Sequence, residues 1–203
     1  MDEHYFSADP SAPFRRETFE CEVWGRLLTF ATGAGVFSRG HLDHATAVLF
    51  REVDPPEGGR VLDLGCGWGA IGLAIAAVSP ATEVTGVDVN ERALLLAEEN
   101  AATIGVADRF TARLPDAVPA GTTYDEIWSN PPIRIGKAAL HELLLTWLPR
   151  LEPHGRAVMV VGKNLGADSL QRWLVEQGHP TERLASAKGF RILEVTRGTD
   201  GSV

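Results

Sequence analysis

The sequence predicts an α/β fold in which a largely parallel sheet is covered by helices. Residues 61–64 form a short apolar strand pattern, which passes through a glycine-rich turn into a helical pattern over 70–78. Between residues 60 and 163, strand and helix patterns alternate, which is typical of βαβ units and a parallel sheet. At 203 residues, the chain is long enough to bury one sizeable core of this class.

The other elements follow from local patterns, with apolar residues at helical or strand spacing and glycine or proline at the ends. We expect Asn90 to cap one helix, and Pro149 and Pro153 to end another. The predicted helices begin at about Asp43 and cover 91–103, 137–148 and 167–177. The predicted strands cover 83–88, 109–112, 124–129 and 156–162, with an extended segment or strand pair over 21–31 and an antiparallel hairpin over 181–196.

The glycine-rich turn matches two kinds of nucleotide-binding loop. Gly67, Gly69 and Gly72 fit the dinucleotide pattern G-x-G-x-x-G. Asp63 with Gly65, Gly67 and Gly69 fits the D-x-G-x-G-x-G loop of S-adenosylmethionine enzymes equally well. Glycine suits both, because a backbone without Cβ turns tightly and lets a ligand approach the main chain. The Asp63 carboxylate would repel a pyrophosphate but tolerate a cationic methionine group, so it favours the second pattern.

A second acid, Asp88, supports a nucleoside ligand of either kind. It ends the next predicted strand, about 20 residues after the glycine loop, where an acid accepts hydrogen bonds from ribose hydroxyls. Asn90 is better placed than Asp88 to cap the helix that follows. Both candidate cofactors contain a ribose, so Asp88 does not choose between them.

The choice depends on Asn130-Pro131-Pro132-Ile133, which follows the predicted strand 124–129. In a βαβα order this strand lies beside the first one, so the tetrapeptide reaches the sheet edge that carries the glycine loop. The two prolines predict a stiff turn with free carbonyls, and Asn130 adds a side-chain acceptor. Such acceptors suit a planar amine that attacks a methyl donor. The other interpretation is a plain turn with a capping asparagine, which the neighbouring glycine loop disfavours.

Together these motifs resemble the class I S-adenosylmethionine-dependent methyltransferases that act on nitrogen. Over residues 4–197 the chain is similar to the methyltransferase small domain family, through GVFS at 35–38, Asp43, NPPIRIGK at 130–137 and KGFRI at 188–192. The resemblance implies a three-layer, Rossmann-like sheet of seven strands whose last strand is antiparallel. It also implies S-adenosylmethionine as the cofactor.

The resemblance further implies a division of the chain and a set of site residues. We expect one structural domain, made of an arm and lid segment over 1–57, a catalytic core over 58–197 and a frayed tail over 198–203. The implied catalytic residues are Asn130, Pro131, Pro132 and Ile133. The implied cofactor-binding residues are Asp63, Gly65, Cys66, Gly67, Gly69, Asp88, Val89, Phe37, Ser38 and, for adenine, Asp116. The implied substrate-binding residues are Arg134, Lys137 and Phe37.

Composition argues against several other classes of protein. The net charge of −8 disfavours a broadly basic surface that coats nucleic acid. No apolar run approaches the ~18 residues of a membrane span, and the acidic N-terminus is unlike a signal peptide. Two cysteines are too few for a disulfide framework, so we expect a reducing cytoplasm. The six histidines show no metal-binding spacing with cysteines or carboxylates, so we expect no metal.

The predicted reaction is direct methyl transfer from S-adenosylmethionine to nitrogen, with S-adenosylhomocysteine as the product. The resemblance implies a guanine exocyclic amine in ribosomal or other structured RNA as the acceptor. Ile133 departs from the aromatic residue that many family members stack on the base. A protein glutamine side chain and a small-molecule amine therefore remain alternatives, and an inactive cofactor-binding scaffold is a more distant one.

Overall fold

The structure, a computed structural model of the chain, describes residues 16–33 and 40–198, and of Arg134 it describes only the backbone. The strands are β1 Arg16–Val23, β2 Arg26–Gly33, β3 Gly59–Leu64, β4 Thr82–Val87, β5 Phe110–Arg113, β6 Tyr124–Ser129, β7 Leu151–Gly162, β8 Thr181–Ala187 and β9 Phe190–Thr196. The helices are α1 His44–Glu52, α2 Ala70–Val78, α3 Glu91–Ile104, α4 Lys137–Trp147 and α5 Ala167–Glu176. Short 3₁₀ turns cover Pro115–Ala117, Ile133–Ile135, Leu148–Arg150 and Lys163–Leu165.

Seven strands form one mixed sheet in the order β5-β4-β3-β6-β7-β9-β8. The first five in this order pair in parallel, and β9 is antiparallel to both of its neighbours. β6 lies directly beside β3, as the βαβα order predicts. The glycine loop and Asn130 therefore leave the sheet at the same edge. The predicted seven-stranded sheet with an antiparallel last strand is confirmed.

Helices cover both faces of this sheet, because its strands alternate their side chains between the two sides. On β3, Val61 packs into the cluster that contains the apolar residues of α1, α2 and α3. The next residue, Leu62, packs into the cluster that contains those of α4 and α5. The predicted three-layer arrangement is thus confirmed. The predicted helix cap at Asn90 is also present, since its side chain accepts from the N–H groups of Arg92 and Ala93.

The segment between α4 and β7 differs from the prediction. α4 ends at Trp147, and β7 begins at Leu151, five residues earlier than expected, so that Pro153 lies inside a strand. The pairing of β7 with β6 shifts its register in this region. Proline lacks the N–H that a regular ladder needs, and a strand irregularity of this kind accommodates it.

The N-terminal hairpin of β1 and β2 packs against the glycine loop. Phe19 and Phe30 place their ring centroids 5.7 and 4.9 Å from that of Trp68, which belongs to the loop. The buried Asn100 of α3 joins the same parts, because its Nδ2 donates to the carbonyls of Ala31 and Trp68, both at 3.0 Å. Its Oδ1 also accepts from the Ala31 N–H at 2.7 Å. One asparagine therefore ties β2, α3 and the glycine loop together.

Some sequence predictions fall on residues that the structure does not describe. Phe37 and Ser38 of the predicted lid, and the tail after residue 198, lie outside the described residues. The division between arm and core at residue 57 also stays a prediction. Within the described part of the chain, no helix combines the length and apolar character needed to cross a membrane.

We expect Asn100→Ala to lower the free energy of unfolding by about 2–4 kcal/mol, because it leaves buried backbone groups of β2 and the glycine loop without partners. Urea unfolding at neutral pH measures this loss. The neighbouring Glu99→Ala is the control, since it removes only an exposed ion pair with Arg16 and should cost less than about 1 kcal/mol. Equal effects of the two substitutions would contradict the role given to Asn100.

Candidate active site

The glycine loop connects β3 to α2 through residues in the left-handed region of φ. Gly65, Gly67 and Gly69 have φ of +75°, +55° and +90°, which glycine adopts far more easily than other residues. At Gly69 a Cβ would also lie 2.6 Å from the Leu73 side chain. The loop is held to β4, because the N–H groups of Gly65 and Cys66 both donate to the Val87 carbonyl, at 2.8 and 3.0 Å.

Two buried carboxylates hold the loop from the other side. Asp63 on β3 accepts from the N–H of Gly72 in α2 at 2.7 Å, and Asp88 after β4 accepts from the N–H of Gly67 at 2.9 Å. The second oxygen of Asp88 accepts from the Asn90 N–H at 2.9 Å. The two acids are 1% and 7% exposed. Both predicted acids therefore have a structural role in shaping the loop.

Burial changes the protonation of the groups around this loop. It raises the pKa of Asp63 to about 7, the hydrogen bond from Gly72 opposes the rise, and the charge of Asp88 adds to it. Burial also raises the pKa of Asp88, against the hydrogen bonds from neighbouring backbone N–H groups. The pKa of the buried Cys66 thiol is raised by burial and by both carboxylates, so Cys66 stays protonated. Cys66 is therefore a small buried side chain of the loop and not a nucleophile.

The two acids around the glycine loop fit S-adenosylmethionine better than a dinucleotide. Asp63 Oδ1 is buried and has no hydrogen-bond partner among the described residues. Two neighbouring carboxylates would repel a pyrophosphate, whereas they suit a ligand with a positive charge and hydroxyl donors. In that arrangement Asp63 would lie near the methionine part of the cofactor, and Asp88 would hold the ribose.

The Asn130 side chain is oriented by two residues of the N-terminal segment. Its Nδ2 donates to Asp43 Oδ2 at 2.9 Å and to Thr46 Oγ1 at 3.2 Å. A carboxylate only accepts, so the amide NH₂ must face Asp43, and Oδ1 is left as the acceptor that Asn130 can offer to a ligand. This orientation leaves Asn130 Oδ1 able to accept from a ligand, and its acceptor role in the reaction stays a prediction.

Asp43 is a site residue whose role the sequence reasoning missed. Its Oδ2 caps α1 by accepting from the N–H groups of Ala45 and Thr46, at 2.9 and 3.2 Å. The same oxygen accepts from Asn130, which lies 87 residues away in the chain. The start of a helix at Asp43 was the available signal. Nothing in the residues around a helix cap indicates that its side chain also binds a distant residue such as Asn130.

The two proline carbonyls are not free, which corrects the prediction for Pro131 and Pro132. The Ile133 N–H donates to the Pro131 carbonyl at 2.8 Å, and the Ile135 N–H donates to the Pro132 carbonyl at 3.0 Å. The cause is the 3₁₀ turn Ile133–Ile135, which folds back onto the prolines. A carbonyl oxygen has two lone pairs, so each can still accept one further hydrogen bond.

A single cavity of about 630 Å³ joins the glycine loop to the NPPI segment. This volume is in the usual range for small-molecule and cofactor sites. Its lining includes the predicted residues Asp63, Gly65, Cys66, Gly67, Asp88, Val89, Asn130, Pro131, Pro132 and Ile133. The residues Asp43 and Thr46 that orient Asn130 line it as well. The fold therefore brings the predicted cofactor-binding and catalytic residues into one space.

Beyond Asn130 the cavity becomes apolar. We call this part the apolar end and define it by Ile133, Ile135, Leu143, Leu165 and Phe190. Leu165 is 55% exposed, although it is a large hydrophobic residue, and Phe190 is half-buried. The sequence reasoning noted Phe190 only within the KGFRI motif, and it missed Leu165. Both lie beside the carboxyl end of β7, at the edge where parallel α/β sheets bind ligands.

Several predicted residues do not line the cavity. Gly69 acts as the N-cap position of α2. Asp116 is exposed in the turn after β5, and its neighbour Pro115 lines the cavity instead. Lys137 is exposed at the start of α4. The side chain of Arg134, like Phe37 and Ser38, is outside the described part of the structure.

Comparison with known proteins identifies the family. Residues 27–194 match the model of the methyltransferase small domain. The chain belongs to this family. It is an S-adenosylmethionine-dependent methyltransferase, and S-adenosylmethionine is its methyl donor, as the sequence predicted.

Relatives of this methyltransferase include both short and longer proteins. The uncharacterised protein YbxB of Bacillus subtilis is 32% identical over 200 residues, covering 97% of the chain and 100% of YbxB. The ribosomal RNA small subunit methyltransferase C of Pseudomonas entomophila is 33% identical over 186 residues, covering 90% of the chain but 55% of that protein. The chain thus spans about half the length of the named methyltransferases that it matches.

One solved structure is particularly informative. The T. thermophilus 16S rRNA N2 G1207 methyltransferase (RsmC), in complex with AdoMet and guanosine, has a TM-score of 0.79 and 25% identity to this methyltransferase. The match covers 94% of the chain and 52% of that structure. A ribosomal protein L11 methylase from Lactobacillus delbrueckii, at 21% identity and a TM-score of 0.58, supports the fold alone.

Among the described residues of the present chain, no group of three histidine, cysteine or acidic side chains is arranged to hold a metal ion.

The raised pKa of Asp63 predicts a pH-dependent gain in stability for Asp63→Asn. Between the unfolded pKa of about 4 and the folded pKa of about 7, the native wild-type chain binds more protons than the unfolded chain. The contribution of the Asp63 carboxyl to the free energy of unfolding is therefore fully present below pH ~4 and is lost as pH rises through ~7. Asp63→Asn has no carboxyl at this position, so its free energy of unfolding does not undergo this decrease.

Urea unfolding of both chains without ligand, at pH 5 and pH 8.5, measures this effect. The stability of Asp63→Asn relative to wild type should rise between the two pH values by roughly 2–4 kcal/mol, because each pKa unit corresponds to about 1.4 kcal/mol. The comparison between pH values cancels any constant cost of burying the new amide. Parallel pH profiles for the two chains would show that Asp63 does not titrate in this range.

Asp43→Ser tests whether Asp43 positions Asn130. Serine still caps α1, but its side chain is one atom shorter and cannot reach Asn130. We expect turnover to fall by about tenfold to 100-fold, by analogy with the loss of a group that supports the transition state, while cofactor affinity changes little. Asp43→Asn keeps an acceptor oxygen of the same reach and should restore most of the turnover. Wild-type turnover in Asp43→Ser, at unchanged thermal stability, would refute the positioning role.

Proposed function

We propose that this methyltransferase transfers a methyl group to the exocyclic N2 amine of a guanine in ribosomal RNA. The observation that carries the proposal is the orientation of Asn130, whose NH₂ group is bound to Asp43 and Thr46 so that its Oδ1 accepts. An acceptor at this position selects a substrate with N–H donors on the attacking nitrogen. Guanine has such an amine on its Watson–Crick edge.

The residues of the chain have defined tasks in this reaction. The bound cofactor supplies an activated sulfonium methyl, so the enzyme chiefly needs to bring the amine into line with it. Asn130 Oδ1 accepts one amine N–H, and the remaining lone pair of the Pro131 carbonyl accepts another. As the nitrogen attacks, positive charge grows on it, and the two acceptor oxygens of Asn130 and Pro131 favour that charge. The proton leaves to water afterwards, so no general base is needed.

The choice of guanine in RNA is supported by the relatives and by the apolar end. RsmC, in the structure with guanosine, has the fold most fully shared with this chain among the neighbours described above. The named relatives with 33% and 32% identity are ribosomal RNA methyltransferases. The apolar end offers Ile133 and Phe190 to the faces of a base, in place of the aromatic residue missing at position 133. A base in a loop or bulge costs least to extract.

The wider biological setting is proposed on the same basis. Methylation of ribosomal RNA would make the protein part of ribosomal RNA processing. Its compartment would then be the cytoplasm, where the two cysteines, Cys21 and Cys66, remain free thiols.

Methyl transfer from labelled S-adenosylmethionine into separated RNA, protein and metabolite pools tests the proposal. RNA from a strain lacking the gene serves as the acceptor, and nucleoside mapping should show labelled N2-methylguanosine. Asn130→Ala should lower this transfer by about 100-fold or more, while cofactor affinity by calorimetry stays within a few-fold. Label in a protein or metabolite and none in RNA would overturn the substrate assignment but leave the enzyme class intact.

A further inference from the structure

All lysines of the chain border the apolar end of the cavity. The sequence contains three lysines, at positions 137, 163 and 188, alongside sixteen arginines. Lys137 begins α4 directly after the turn that carries Ile135. Lys163 begins the turn that carries Leu165, and Lys188 lies in the β8–β9 turn, two residues before Phe190. Each lysine is thus within two residues of the apolar end.

The topology of the sheet places these lysines at one edge. Lys137 and Lys163 follow the carboxyl ends of the adjacent parallel strands β6 and β7. β9 runs antiparallel to β7, so its first residue, Phe190, pairs with Gly162 at the end of β7. The Lys163 N–H donates to the Gly189 carbonyl at 2.8 Å, which brings Lys163 beside the turn that carries Lys188.

The charges of the three lysines are available for a ligand. All three side chains are exposed, and none takes part in an ion pair among the described residues. Arg183 and Arg191, which belong to the same hairpin, are instead used on Asp168, at 2.8 and 3.5 Å. Asp168 in the first turn of α5 is therefore already paired with two arginines. The three lysines therefore place three positive charges beside the apolar end in a chain whose overall charge is −8.

The lysines surround a surface that is apolar and open. Leu165 is 55% exposed and Phe190 is half-buried, and both line the cavity. Apolar side chains that are partly open to solvent, with lysines close by, suit a ligand that combines a flat apolar ring with neighbouring anions. A nucleotide within a polynucleotide strand has this chemistry, whereas a glutamine side chain has neither the ring nor the anions.

We propose that Lys137, Lys163 and Lys188 form a phosphate-binding rim for the RNA strand on both sides of the target nucleotide, with Phe190 and Leu165 contacting its base. This inference rests on the proposed RNA substrate and extends the sequence prediction for Lys137 to two further lysines and two apolar residues. Lysine serves here as a point charge that can follow a flexible single strand. The rim explains how a chain of negative net charge can bind RNA locally.

Binding of a mixed-sequence single-stranded RNA of about 12 nucleotides at several salt concentrations tests the rim. Lys163→Gln and Lys188→Gln should each weaken binding by about three- to tenfold at low salt, and each should lower the slope of log K against log salt by about 0.7. Arg51→Gln is the matched control, because it removes one positive charge at the far end of α1. Phe190→Leu should weaken binding without changing the slope, since it removes no charge.

Methyl transfer to ribosomal RNA separates the rim from the proposed function. The Lys163→Gln, Lys188→Gln double variant should lose at least about tenfold in kcat/KM while keeping kcat, because the lysines bind the strand away from the reacting atoms. If the wild type methylates RNA but the double variant has unchanged affinity, slope and kcat/KM, the rim is wrong and the proposed function stands. If the wild-type protein binds the RNA no better than poly-glutamate and transfers labelled methyl groups to a protein instead, the lysine rim and the proposed RNA substrate are both wrong.

Discussion

The site depends on two buried carboxylates that bind backbone N–H groups of the glycine loop. Asp63 holds the start of α2 through Gly72, and Asp88 holds the middle of the loop through Gly67. Because β3 and β4 are parallel neighbours, Asp63 in β3 and Asp88 directly after β4 reach the loop from the same edge, so the sheet itself sets the shape of the loop. Asp63 Oδ1 remains without a hydrogen-bond partner among the described residues, which costs stability in the protein without ligand and favours a cationic cofactor.

The N-terminal segment completes the site from outside the main sheet. The β1–β2 hairpin supports the glycine loop through Trp68 and Asn100, while α1 supplies Asp43 to the Asn130 amide. The β1–β2 hairpin thus holds the glycine loop, and Asp43 of the same N-terminal segment holds the Asn130 side chain. An asparagine amide can rotate by half a turn and exchange its donor and acceptor atoms, so a fixed neighbour is needed to define which atom faces the substrate.

Most of the fold was predictable because its signals are local. The hairpin at Thr181–Ala187 and Phe190–Thr196, and the Asn90 cap of α3, occur where the patterns of neighbouring residues placed them. The early start of β7 was not predictable, since Pro153 usually ends a strand and is accommodated here by a register shift against β6. Asp116 is a similar case within the site, because it is exposed in the turn after β5 while its neighbour Pro115 lines the cavity.

Spacing and residue type were sufficient to predict the glycine loop, the two acids and the NPPI segment, because each consists of a few consecutive residues whose backbone preferences are strong. The alternation of strands and helices was sufficient to place β6 beside β3. The partners of those residues were decided by packing between segments far apart in the chain. Asp43 meets Asn130, Trp68 meets the hairpin, and the three lysines gather around Leu165 and Phe190 only when β6, β7 and β9 lie side by side. Contacts of this range leave no local pattern, since their geometry depends on every element between the two residues.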